Sequence, residues 1–94
     1  MSKTWTLQFS TDAKKKLKKL DKPTQTRIIT FFQHRVLAHS DPRQFGKSLT
    51  GDLAGYWSYR IGDYRVICDL LDEELRILAV EIGHRREVYK FDPK

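Results

Sequence analysis

Late in this sequence, Gly83-His84-Arg85-Arg86-Glu87-Val88-Tyr89 gathers one imidazole, two guanidiniums and one phenol within seven residues. That mixture suits phosphate chemistry. A guanidinium holds and neutralises a phosphate through planar paired donors. An imidazole, which titrates near ~6.5, moves a proton close to neutral pH, and a phenol stacks on a base or joins in proton transfer. Two further arginines, Arg60 and Arg65, flank the dipeptide Gly62-Asp63. Glycine at the first centre of a two-residue loop is the mark of a type II′ hairpin, and such a loop sets the register. Trp57, Tyr59 and Ile61 then face Cys68, Val66 and Tyr64 on one side, the expected core, while Ser58, Arg60, Arg65 and Ile67 share the other. Arg60 and Arg65 stand directly opposed. Like charges in that position weaken a ladder unless something negative lies between or above them, so the pair predicts an anion site.

Other chemistries fit poorly. The chain has no His/Cys or carboxylate cluster at metal-ligand spacing, no glycine-rich nucleotide loop and no nucleophile elbow, so neither a metal nor a cofactor is expected. His34 and His39 lack a partner at ligand spacing and read as surface histidines. Cys68, the one cysteine, sits in an apolar run and reads as a small hydrophobe in a reducing compartment.

The elements that must position these groups follow from periodicity. Trp5, Leu7 and Phe9 alternate with polar residues, the pattern of a half-buried strand. Ser10 or Thr11 can cap a helix whose apolar positions are Ala13, Leu17 and Leu20. Its remaining surface carries Lys14, Lys15, Lys16, Lys18 and Lys19, a cationic ridge able to grip nucleic-acid phosphates. Asp21-Lys22-Pro23 stops that helix and starts a second, with Asp21 accepting from its free N–H groups. Ile28, Phe31, Phe32 and Val36, with Ile29 and Leu37 beside them, give the second helix a core stripe to about His39. Ser40 to Arg43 reads as a loop, and Gln44 to Gly55 as a connecting segment containing Lys47. A meander follows over Tyr56–Ile61, Tyr64–Leu71 and Leu75–Ile82. In its last strand Leu78, Val80 and Ile82 are expected on the buried face, and Ala79, Glu81, Gly83 and Arg85 on the open one. The order β-α-α-β-β-β predicts an α+β fold, a mostly antiparallel sheet with a two-helix hairpin packed on one face.

With 94 residues the chain is read as a single domain, 1–94. Eighteen Lys plus Arg against twelve Asp plus Glu leave a net charge of +6. So large a surplus on a small body favours a polyanionic or acidic partner over a small apolar substrate. No apolar stretch has the length of a membrane span, and Met1-Ser2-Lys3-Thr4-Trp5 does not open a secretory signal, so a cytoplasmic location is expected.

The stretches Gly51-Asp52-Leu53-Ala54-Gly55-Tyr56-Trp57, Tyr59 to Ile67 and Gly83 to Tyr89 closely resemble the RelE toxins of the RelE/ParE superfamily. The resemblance spans nearly the whole chain. It implies a toxin of a type II toxin–antitoxin system, held by a RelB-like antitoxin, that enters the ribosomal A site and cleaves messenger RNA without metal. In that chemistry the 2′-hydroxyl attacks the adjacent phosphate, leaving a 2′,3′-cyclic phosphate and a 5′-hydroxyl. By position Arg65 matches the phosphate-stabilising arginine, Arg85 the arginine at the leaving group, and Tyr89 the tyrosine that orients or stacks on the substrate. His84 stands where relatives use histidine or lysine and is the first choice for acid/base work. Arg60 matches a basic strand residue, Lys47 offers electrostatic support, and Ser58 falls where many members carry a further Lys or Arg. Two other readings share the scaffold: a ParE-like inhibitor of DNA gyrase and a non-enzymatic RNA-binding relative.

Overall fold

The structure is a computed structural model that describes residues 4–39 and 41–84. The expectations placed on Arg85, Arg86 and Tyr89 lie outside the described residues.

Strand β1 (Thr6–Phe9) buries Leu7 and Phe9 against the main core and pairs in parallel with β5 (Arg76–His84). Ser10 ends the strand by turning its hydroxyl into the N-cap of α1 (Thr11–Lys19), where it accepts from the Ala13 amide at 3.1 Å. Its own amide donates to the Ala79 carbonyl at 2.8 Å, tying the helix start to the sheet. Asp12 in the first turn and Lys16, Lys18 and Lys19 in the last complement the helix dipole. Ala13 and Leu17 face inward as the spacing requires.

Helix α2 (Lys22–Phe31) begins with Pro23 in its first turn. Asp21 stands at the N-cap but its side chain makes no cap hydrogen bond; its carboxylate instead accepts from the Thr24 hydroxyl at 2.6 Å. The helix widens into a π turn over Phe32–Val36, closed by the Leu37 amide on the Phe32 carbonyl at 2.7 Å. Ile28, Phe32 and Val36 are all fully buried. They are four positions apart, more than the ~3.6 residues of an α-helical turn, and the wider turn keeps them aimed at one core.

The sheet holds five strands in the order β1, β5, β4 (Tyr64–Leu71), β3 (Tyr56–Ile61) and β2 (Lys47–Ser48), antiparallel except for β1 with β5. Strands β3 (Tyr56–Ile61) and β4 (Tyr64–Leu71) pair in the register the hairpin demands, with Arg60 opposite Arg65, and Gly62 takes the left-handed φ of +60°. One strand was not anticipated. Within the expected connecting segment, β2 (Lys47–Ser48) pairs with β3, and short 3-10 turns form at Pro42–Phe45 and Gly51–Leu53. The first of these turns replaces the expected loop, with Asp41 accepting from the Arg43 amide at 3.0 Å and Tyr59 donating its hydroxyl to the Pro42 carbonyl at 2.8 Å.

Strand β5 departs from strict alternation. Its pairing with β4 shifts by one residue between Ile67 and Cys68, a bulge around Val80. The main core therefore takes Ile77 and Ala79, not the expected Leu78 and Val80, and the extra residue returns Ile82 to the same core. Both helices cover that face, Ala13, Leu17, Ile28, Phe32 and Val36 packing with Tyr59, Val66 and Ile77. The opposite face, expected to be open, is partly covered: Leu53, Ile67, Leu49, Tyr56 and Val80 form a second, smaller cluster. The hairpin end of that face is left to the arginines.

Candidate functional site

Cross-strand partners share a face, and the pairs Lys47 with Ser58 and Arg60 with Arg65 put three cations on one surface of the sheet. Lys47 is exposed and directly opposite Ser58, so β2 supplies positive charge beside the position where the sequence lacks it. Arg65 also pairs with Gly83, and His84 ends β5 opposite Tyr64. The His84 ring stands edge-on to Tyr64 with centroids 6.0 Å apart, and it is exposed to solvent. Arg65 and Gly83 share the arginine face at this end of the sheet, while His84, paired with Tyr64, belongs to the face that carries Ile61 and Val66.

Arg65 is half-buried, and its Nη1 is closed off from solvent with no hydrogen-bond acceptor among the described residues. A buried donor left unmet costs about 1–3 kcal/mol, more when it is charged. An anion that reached Nη1 would supply the missing acceptor.

Arg60 takes another course. Exposed near the end of β3, it also lines a groove of about 860 Å³ between α2 and the β3–β4 turn, together with Lys22, Arg27 and Arg35. Phe31 and Ile61 also line it, and none of the lining side chains is acidic. Sequence reasoning missed this groove, although Lys22, Thr26 and Thr30, and likewise Arg27, Phe31 and Arg35, recur at four-residue spacing on one helix.

The lysine ridge of α1 is exposed at Lys14, Lys15, Lys16, Lys18 and Lys19. Lys16 is not free: its ammonium pairs with the carboxylate of Glu81, which is almost fully buried. The same carboxylate oxygen accepts from the Ile82 amide at 3.0 Å, so the expected open-face acid is spent on holding the bulge. His34 and His39 are exposed, and the His39 ring makes a hydrogen bond with the Arg35 carbonyl at 2.7 Å. Burial pushes the Cys68 thiol well above its ordinary value, which keeps it from acting as a thiolate nucleophile at neutral pH. No helix among the described residues is long and apolar enough to cross a membrane.

Residues 7–89 match the family described as the ParE toxin of type II toxin–antitoxin system, parDE. The chain belongs to the RelE/ParE family of type II toxins. Toxin RelG of Mycobacterium tuberculosis is 31% identical to it over 86 residues, covering 92% of this chain and 97% of that protein. Among solved structures, a chain of the toxin–antitoxin complex RelBE2 from Mycobacterium tuberculosis superposes with a TM-score of 0.78 at 29% identity, over 87% of this chain and 92% of that one. A chain of the intact E. coli RelBE complex shares the fold, with a TM-score of 0.67 at 17% identity over 85% of this toxin and 95% of that chain.

Proposed function

We propose that this toxin is a ribosome-dependent endoribonuclease that cleaves messenger RNA at A-site codons, with the scissile phosphate held by Arg65. The buried Nη1 of Arg65, opposite Gly83 and without an acceptor among the described residues, is the observation that carries the reading. In the reaction the 2′-oxygen of one nucleotide bonds to phosphorus, the P–O5′ bond breaks, and the 2′-hydroxyl proton is balanced by one delivered to the departing 5′-oxygen. The products are a 2′,3′-cyclic phosphate and a 5′-hydroxyl, and no metal ion takes part. The pentacoordinate phosphorane carries more negative charge than the diester, so a guanidinium aimed at it contributes more in the transition state than in binding. His84 moves the proton, Arg85 stabilises the leaving oxygen and Tyr89 orients or stacks on the substrate base. Arg60 and Lys47 add positive potential from the flank. The α1 lysines dock the toxin on ribosomal RNA.

A RelB-like antitoxin is the expected partner, a reading supported by the likeness to a toxin of a RelBE2 complex and by the +6 charge, which an acidic or amphipathic segment would match. Expression without it should arrest growth. Primer extension on translating ribosomes given purified toxin tests the activity: new 5′ ends inside the A-site codon are expected. Intact messenger together with cleaved DNA would assign the chain to gyrase inhibition instead, and neither product would leave a non-enzymatic binder.

A further inference from the structure

We propose that the groove between α2 and the β3–β4 turn is a second RNA site, which holds the phosphodiester backbone of the strand leading to Arg65. Four cations line it, Lys22, Arg27, Arg35 and Arg60, and no lining residue is acidic. Among the described residues none of the four side chains has an ion-pair partner, whereas Arg43, Arg76 and Lys16 are paired. The Arg27 guanidinium lies along the hairpin turn, where a Cβ on Gly62 would come within 3.2 Å of Nη1.

Length and direction favour a polynucleotide. From Lys22 to Arg35 the helix advances roughly 20 Å at ~1.5 Å per residue. At ~3.4 Å per nucleotide that row matches about six phosphates of one strand. Thr26 and Thr30 add hydroxyl donors along it. Arg60 connects the groove to the candidate catalytic end, since it lines the groove and stands opposite Arg65 across the hairpin. The choice of RNA as the polyanion rests on the ribonuclease reading; the groove's cationic character does not.

The test uses a fluorescein-labelled 2′-O-methyl RNA 12-mer, which cannot be cleaved, and anisotropy titrations of the full chain from low to moderate salt. Arg27→Gln/Arg35→Gln should weaken binding about tenfold or more and lower the log–log salt slope by about 1.4, at ~0.7 per lost single-strand contact. Arg43→Gln, away from the groove, should change neither. If the double variant loses its fold by circular dichroism, Arg35→Gln alone should lower the slope by about 0.7. Unchanged affinity and slope in a folded variant would overturn the proposal. So would weakened binding of a labelled glutamate 12-mer with RNA binding intact, which would give the groove to an acidic protein segment. Because the probe is inert, a parent that binds it but cuts no messenger on translating ribosomes would sink the ribonuclease and spare the groove, and cleavage on ribosomes without probe binding would do the opposite.

Discussion

Arg43 and Arg65 carry the same guanidinium in opposite circumstances. Arg43 lies on the 3-10 turn after α2, and its Nη1 and Nη2 donate to the two carboxylate oxygens of Asp72 at 2.9 and 2.6 Å, with the Trp57 ring centroid 5.6 Å away. Its hydrogen bonds hold the Asp72 carboxyl below the usual carboxylate range. Arg65 is the more enclosed at the atom that matters, and its Nη1 has no acceptor among the described residues. A satisfied, solvent-facing fork ties two loops together; a buried, unmet donor gives up stability at a place where an anion could recover it. In a chain with eighteen basic side chains, the unmet charge says more about the site than the number of charges does.

The largest effect should come from removing the unmet group. Arg65→Ala should lower single-turnover cleavage on ribosomes by about 10²-fold or more, roughly 3 kcal/mol, with ribosome affinity little changed. Thermal stability should hold or rise slightly, since an orphaned donor and the repulsion with Arg60 both disappear. A clear loss of stability would show that Arg65 is structural, like Arg43. Next comes the ridge: Lys14→Gln/Lys15→Gln/Lys18→Gln should weaken ribosome association about tenfold and flatten its salt dependence, without abolishing cleavage at saturation. Unaltered affinity with lost cleavage would reverse the division of labour.

Smaller effects separate paired charges from free ones. Lys16→Ala leaves the Glu81 carboxylate buried without its cation and should cost about 1–2 kcal/mol in chemical denaturation, while Lys15→Ala should be neutral. Equal effects would mean that the ridge is uniform. Asp72→Asn should cost about 0.5 kcal/mol or less, because the pair with Arg43 faces solvent. The sign with pH is fixed by the lowered carboxyl: its contribution is present above the unfolded aspartate value of ~3.9 and is lost as pH falls through the folded value. Parent and variant should therefore converge in acid, and divergence there would refute the assignment.

Much of this was legible in the residues because local rules settle it. A two-residue loop with a leading glycine leaves one register, so Arg60 and Arg65 had to oppose one another, and they do. Ser10 had both the side chain and the place to cap α1. What escaped depended on contacts far along the chain. The bulge at Val80 is held by Glu81 and α1, and a period-two pattern cannot show an inserted residue. Strand β2 exists only because β3 offers an edge to it. That Arg60 borders the α2 groove while the Arg65 Nη1 is buried is a matter of packing, and Lys22, Arg27 and Arg35 gained meaning only when the hairpin turn came beside them. The roles given to Arg85 and Tyr89 rest on the resemblance and lie outside the described residues.

The clamp itself is tested most directly by single-turnover cleavage on programmed ribosomes at saturating toxin, comparing the parent with Arg65→Lys and Arg65→Ala. An ammonium restores the charge without the planar paired donors, so the lysine variant should recover only part of the rate lost by alanine, with all three proteins folded and bound. Cleavage by Arg65→Ala at nearly the parental rate would contradict the account and move the clamp to Arg85 or Arg60.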